Sequence, residues 1–132
     1  SDFKLDPVVD AAFAGQPTIV ETEFAKAMVA GTYPGLAISA AQRQVAALHK
    51  AALLMEGGAS APSAAEGGFP RLHFSRKAAV ETALRNFSAA RLLQVMDQLA
   101  IAALDARKHS ALAPAIAQRA LMSIAVNARR RG

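Results

Sequence analysis

An all-α helical bundle of five to six helices is the fold class that this sequence predicts, and three observations predict it. Alanine fills 33 of the 132 positions, and alanine is the strongest helix former because it loses no side-chain entropy. Strand formers are nearly missing, with one Tyr and no Trp in the chain. Hydrophobic residues make up 53% and charged residues 19%, which excludes the low-hydrophobicity, high-charge composition of disordered chains. The length suits a single domain over residues 1–132.

Asp6-Pro7 predicts the first helix over 7–14, with the Asp carboxylate capping free N–H groups and Pro at the first helical position. Gly15 is its stop. Thr18-Ile19-Val20-Glu21 has capping-box spacing and predicts a second helix to residue 30, ended by Gly31 and Tyr33-Pro34-Gly35. Over 36–55, Ile38, Ala41, Val45, Leu48, Ala52 and Met55 alternate spacings of three and four, the stripe of one buried helix face. Gln42, Arg43 and Lys50 fall on other faces. Residues 57–69 are rich in Gly, Ala, Ser and Pro without periodicity, and predict a flexible linker.

Over 75–87 the stripe is Val80, Leu84 and Phe87, with Arg76, Lys77, Glu81 and Arg85 outward. Ser88 is the N-cap of a helix over 89–108, which carries Leu92, Met96, Leu99 and Ala103 on one face and Leu93, Ala100 and Leu104 on an adjacent one. So wide an apolar surface implies neighbours on two sides. The last helix, over 112–129, follows Ser110 and tolerates Pro114 in its first turn. Val80, Leu84, Phe87, Leu92, Met96 and Leu99 are the predicted core of this half.

Cysteine is absent, so no disulfide, thiolate nucleophile or Cys-ligated zinc is available, and a cytoplasmic location fits. The longest apolar runs fall far below the roughly 20 residues of a membrane span, which predicts a soluble chain with no membrane partner. No basic-then-apolar leader opens the sequence, which starts at Ser1 and reads as part of a longer protein. His49, His73 and His109 lie far apart and form no metal-site spacing; His73 suits a turn leading into a helix and His109 a helix C-terminus. There is no phosphate-binding G-x-x-x-x-G-K-[ST] loop. Asp2, Asp6 and Asp10 are spaced by four, but Asp6 is accounted for as a cap, and Ser39, Ser88 and Ser123 lack a nucleophile-like context. The expectation is no catalytic site, no cofactor and no metal.

Charge is unevenly spread. Residues 1–42 carry two bases against five acids, whereas eleven Lys or Arg face only Glu81, Asp97 and Asp105 from Arg71 onward. Such a surface attracts a polyanion or an acidic partner. Two basic clusters, Arg107-Lys108-His109 and Arg129-Arg130-Arg131, are the candidate DNA-proximal residues; as cations at helix C-termini they also complement the helix dipole.

The order Pro70-x-x-His73-Phe74-x-Arg76-Lys77, then Val80, Leu84, Phe87-Ser88, Leu92, Leu99, Asp105 and Lys108, resembles the C-terminal part of the bacterial DNA polymerase III delta subunits. Upstream, Ala11-Ala12-Phe13-Ala14-Gly15, a helix ending at Gly31 near Pro34, the Gln42-Arg43-Gln44 helix and a variable linker are similar to the same family in the same order. Essentially the whole chain is covered. One departure is Phe87-Ser88, where the family commonly has Trp-Ser; Phe keeps the apolar anchor and loses the indole donor.

The resemblance implies a collar domain of the clamp loader, packed in a ring with the gamma or tau and delta-prime subunits and working in DNA replication. It implies a non-catalytic subunit of the DNA polymerase III holoenzyme, a DNA-directed DNA polymerase. The sliding clamp would be met by N-terminal domains absent from this chain, and primed DNA only weakly or indirectly. A basic helical module that binds nucleic acid itself is the alternative, and a free-standing helical adaptor a third. Salt separates the first two, since phosphate contacts weaken steeply with salt and apolar packing does not.

Overall fold

The computed structural model describes residues 2–128, and among them every regular element is helical. A 3-10 turn at Asp2–Leu5 leads into α1 (Asp6–Ala14), followed by α2 (Pro17–Val29), α3 (Pro34–Glu56), α4 (Ala61–Gly68), α5 (Lys77–Asn86), α6 (Ala89–Lys108) and α7 (Ala113–Asn127). Short 3-10 turns at Phe74–Arg76 and Ser110–Leu112 introduce α5 and α7. Among the described residues the bundle thus has seven α-helices where five to six were expected. No single helix among the described residues is long and apolar enough to cross a membrane.

The two glycine stops act as the sequence predicts. Gly15 and Gly31 adopt φ of 78° and 84°, which a glycine reaches without strain. The residue after each reaches back into the helix, Gln16 N–H to the Ala11 carbonyl at 2.9 Å and Thr32 N–H to the Ala27 carbonyl at 3.0 Å. This closure satisfies carbonyls the helix would leave open. Ser88 caps α6 as expected, its Oγ accepting the Arg91 N–H at 3.2 Å. Pro114 lies in the first turn of α7.

Two predicted caps are replaced. Leu5, not Asp6, is the N-cap of α1, because the preceding 3-10 turn runs straight into the helix. Gln16 occupies the N-cap of α2, so Thr18 sits inside the first turn and no side-chain capping box forms. The linker expected over 57–69 is the third correction. Ser60 Oγ accepts the Ser63 N–H at 3.2 Å, Pro62 enters the first turn, and Ala64 and Ala65 are buried against α3 and α5. Small residues permit the close approach: a methyl on Gly68 would lie 2.5 Å from the Ala47 carbonyl oxygen.

α3 runs through the middle, packed against α6, α4 and α7, while α1 packs against α5, α2 and α7. Its predicted stripe is buried from Ile38 to Ala52, with Met55 partly covered. Val80, Leu84, Phe87, Leu92 and Leu99 are buried as predicted. Met96 is only half-buried, because the buried stripe of α6 runs through Ala89, Leu92, Val95, Leu99, Ala102 and Ala106. Phe13 meets Phe87 edge-on, ring centroids 5.7 Å apart, the geometry that sets a positive ring edge on a negative face. The Arg91 guanidinium lies 4.8 Å from the Phe87 ring centroid. Arg91 also donates to the carbonyls of Asn86 and Asn127, the last residues of α5 and α7.

Arg76, expected outward, turns inward. Its Nε and Nη2 donate to the two Asp10 carboxylate oxygens at 2.8 and 3.0 Å, and Nη2 also donates to Gln44 Oε1 at 2.8 Å. Gln44 Nε2 donates to Asp10 Oδ1 at 2.7 Å, and Asp6 Oδ2 stands 3.5 Å from Arg76 Nη1. The node joins α1, α3 and the turn before α5. Hydrogen bonding to Asp10 raises the Arg76 pKa, against the lowering caused by burial, with the Asp10 and Asp6 charges adding to the rise.

Two outcomes follow for stability. Leu99, 1% exposed, is a packed site, so Leu99→Ala is expected to cost about 2 to 5 kcal/mol in chemical denaturation; a loss under about half a kcal/mol contradicts that packing. The side chains of Arg76 and Asp10 are 20% and 12% exposed, so Arg76→Met is expected to cost about 2 to 3 kcal/mol, below the cost of breaking a fully buried pair. A cation whose folded pKa is raised stabilises at every pH below its unfolded value and loses that contribution only in strong alkali. The Arg76→Met deficit should therefore stay level between about pH 6 and pH 9, as urea titrations across that range will read.

Candidate functional site

The C-terminal end of α6 presents the first predicted cluster. Arg107 and Lys108 occupy its last turn and His109 its C-cap, where the His109 N–H donates to the Asp105 carbonyl at 2.9 Å. All three side chains are exposed. The carbonyls left open at a helix end make this a favourable place for cations, and the same exposure lets them meet a phosphate. Arg129, Arg130 and Arg131 lie outside the described residues.

The second apolar face of α6 is uncovered. Leu93, Ala100 and Leu104 are exposed, and Ile101 beside them is 62% exposed. Within this chain α6 packs on two sides, against α3 and α7, and among the described residues neither covers the face of Leu93 and Leu104. Beside this face, α6 and α7 border a groove of about 330 Å³ lined by Leu99, Ile101, Ala102, Ile116, Ala120 and Ile124 with charged and polar groups at its edge.

The turn before α5 holds a residue that charge and periodicity pass over. Phe74 is 84% exposed, with exposed Arg71 and His73 before it and half-buried Lys77 after it. His73 fixes the turn as expected: its Nδ1 accepts the Ser75 N–H at 3.1 Å and stands 2.7 Å from Ser75 Oγ. A bare aromatic ring between cations can stack on a base while the cations meet the backbone phosphates. The signal for it is present in the sequence as an aromatic residue within Arg71-Leu72-His73-Phe74-Ser75-Arg76-Lys77. Only the exposure tells a stacking ring from a core one.

The same turn borders a cleft of about 590 Å³ with Asp6, Asp10, His73, Ser75 and Arg76 in its walls. Its titratable groups are committed elsewhere: Asp10 accepts from Arg76 and Gln44, and His73 Nδ1 serves the turn. Among the described residues no three His, Cys, Asp or Glu side chains converge in a way that could hold a metal ion. No protein-family model, curated protein or solved structure matches the chain.

Proposed function

We propose that this chain is the collar domain of a bacterial DNA polymerase III delta subunit, holding its parent in the ring of the clamp loader beside the gamma or tau and delta-prime subunits. The observation that carries the reading is the bare apolar face of α6, Leu93, Ile101 and Leu104. Contiguous exposed apolar surface of this kind marks a protein interface. The ordered motif from Pro70 to Lys108 supports the family, and buried Phe87 beside the capping Ser88 supports the role of that dipeptide as an anchor. In this reading the domain assembles, works in the cytoplasm and performs no chemistry. Clamp contact belongs to the parent's N-terminal domains.

Deleting these 132 residues from the parent is expected to abolish co-elution with gamma or tau and delta-prime on size exclusion while sparing clamp binding. A truncated parent that still joins the complex refutes the collar role.

The second reading, direct binding of nucleic acid, is favoured by one observation: Phe74 bare between Arg71 and Lys77. Arg107, Lys108 and His109 would add an electrostatic contact at the far end of α6. On this basis the chain is expected to bind single-stranded DNA with a Kd on the order of 10⁻⁴ to 10⁻⁶ M, weakening as salt rises. Phe74→Ala should weaken single-strand binding about tenfold and leave duplex binding unchanged in fluorescence anisotropy. Nanomolar, sequence-selective binding by this chain alone would make it a nucleic-acid module rather than a collar.

A further inference from the structure

The turn that carries Phe74 is held by a bond that a proton can break. His73 is the N-cap of the 3-10 turn at Phe74–Arg76. Its carbonyl accepts the Arg76 N–H at 2.9 Å, and its ring Nδ1 accepts the Ser75 N–H at 3.1 Å. A backbone N–H can only donate, so Nδ1 is bare and the ring hydrogen sits on Nε2. Ser75 Oγ, 2.7 Å from the same Nδ1, then donates to it as well. One unprotonated nitrogen orders both the backbone and the hydroxyl of Ser75.

A protonated imidazole has no acceptor left. A proton on Nδ1 would point at the Ser75 N–H, leave that amide without its partner and reverse the bond to the hydroxyl. It would also set a cation before the first turn of α5, where the helix dipole is positive. The charges around the ring divide. Arg76 on the turn, Lys77 at the start of α5 and Arg71 before the turn repel a further cation, whereas Asp6 and Asp10 of α1 share the cleft that His73 and Ser75 border. The rest of that lining, Pro7 and Ala79, is uncharged. Lost acceptance and the three cations push a charged ring off the turn, and the two carboxylates draw it into the cleft.

The chain is anchored on either side of this point. Arg76 is held by Asp10 and Gln44, and the Leu72 N–H donates to the Phe69 carbonyl at 3.1 Å. Release is therefore confined to residues 73–75. Phe74, 84% exposed, has little packing of its own to keep it in place.

We propose that His73 is a pH-sensitive latch: neutral, it fixes the backbone that displays Phe74, and protonated, it frees residues 73–75 while the bundle beneath stays closed. The latch belongs to the turn itself and holds under either functional reading. Order is full at the alkaline end of the range in which histidines titrate, about pH 8, and is lost toward about pH 5.

The test is NMR on the whole chain, comparing wild type, His73→Asn and His73→Ala at about pH 8 and about pH 5. Asn keeps an acceptor for the Ser75 N–H and does not titrate, whereas Ala has no acceptor at all. In wild type the coupling across the Ser75 N–H to Nδ1 bond is expected at the higher pH and lost at the lower, and the heteronuclear NOE of the Phe74 and Ser75 amides falls with it. His73→Asn should keep that NOE high at both pH values, and His73→Ala should show it low at both. Helix content by circular dichroism should be the same throughout. The proposal is overturned if the wild-type NOE is equal at the two pH values, if His73→Asn loosens on acidification as wild type does, if His73→Ala is as ordered as wild type, or if helix content falls together with the turn.

Discussion

The carboxylate of Asp10 fixes the relation between segments more than sixty residues apart, because it accepts Arg76 through two of its guanidinium nitrogens and Gln44 through its amide. The need for such a node comes from the composition. Many buried contacts between helices are made by alanines such as Ala12, Ala37, Ala41, Ala51, Ala64 and Ala65. An alanine methyl packs closely but buries little area and interlocks weakly, so alanine seams by themselves leave a helix free to slide or rotate. The fork of an arginine on a carboxylate has a fixed geometry. It gives α1, α3 and α5 a single register where the apolar seams would tolerate several.

What the sequence conveys about the fold depends on how local the cause is. Gly15, Gly31 and Ser88 act on their own helix ends, and their roles follow from residue type and position alone. The stripes of α3 and α5 are likewise legible, since bulky residues at spacings of three and four can face only one way. α4 is not legible by that rule. Its buried face is two alanines, and a helix held by methyl groups, a Ser60 cap and a Gly68 close approach leaves no periodic trace. Asp6 shows the opposite failure, because a strong local capping signal yields to a 3-10 turn that extends the helix backward. Arg76 reads as outward from its place in the stripe over 75–87, and what draws it in is a carboxylate sixty-six residues away.

The surface was legible in the same proportion. Charge counting located Arg107, Lys108 and His109, which do lie bare at a helix end, because nothing long-range competes for them. It also credited Arg76 and Arg91 to the basic surface, yet one is bound to Asp10 and the other to two helix ends and a phenyl ring. The effective positive surface of the second half is therefore smaller than its formal charge. Phe74 is the converse case, an apolar residue whose value lies in being left outside, and no pattern of apolar spacing separates it from a core residue such as Phe87.

Arg91 acts on more than its own helix. One guanidinium closes the last carbonyls of both α5 and α7 while stacking on Phe87. Removing that one side chain would uncover both ends at once. One side chain thus ties two helix ends together although forty-one positions separate Asn86 from Asn127. A partner that clamps α7 from outside would thereby quiet the far end of α5, carrying rigidity across the domain without moving its backbone.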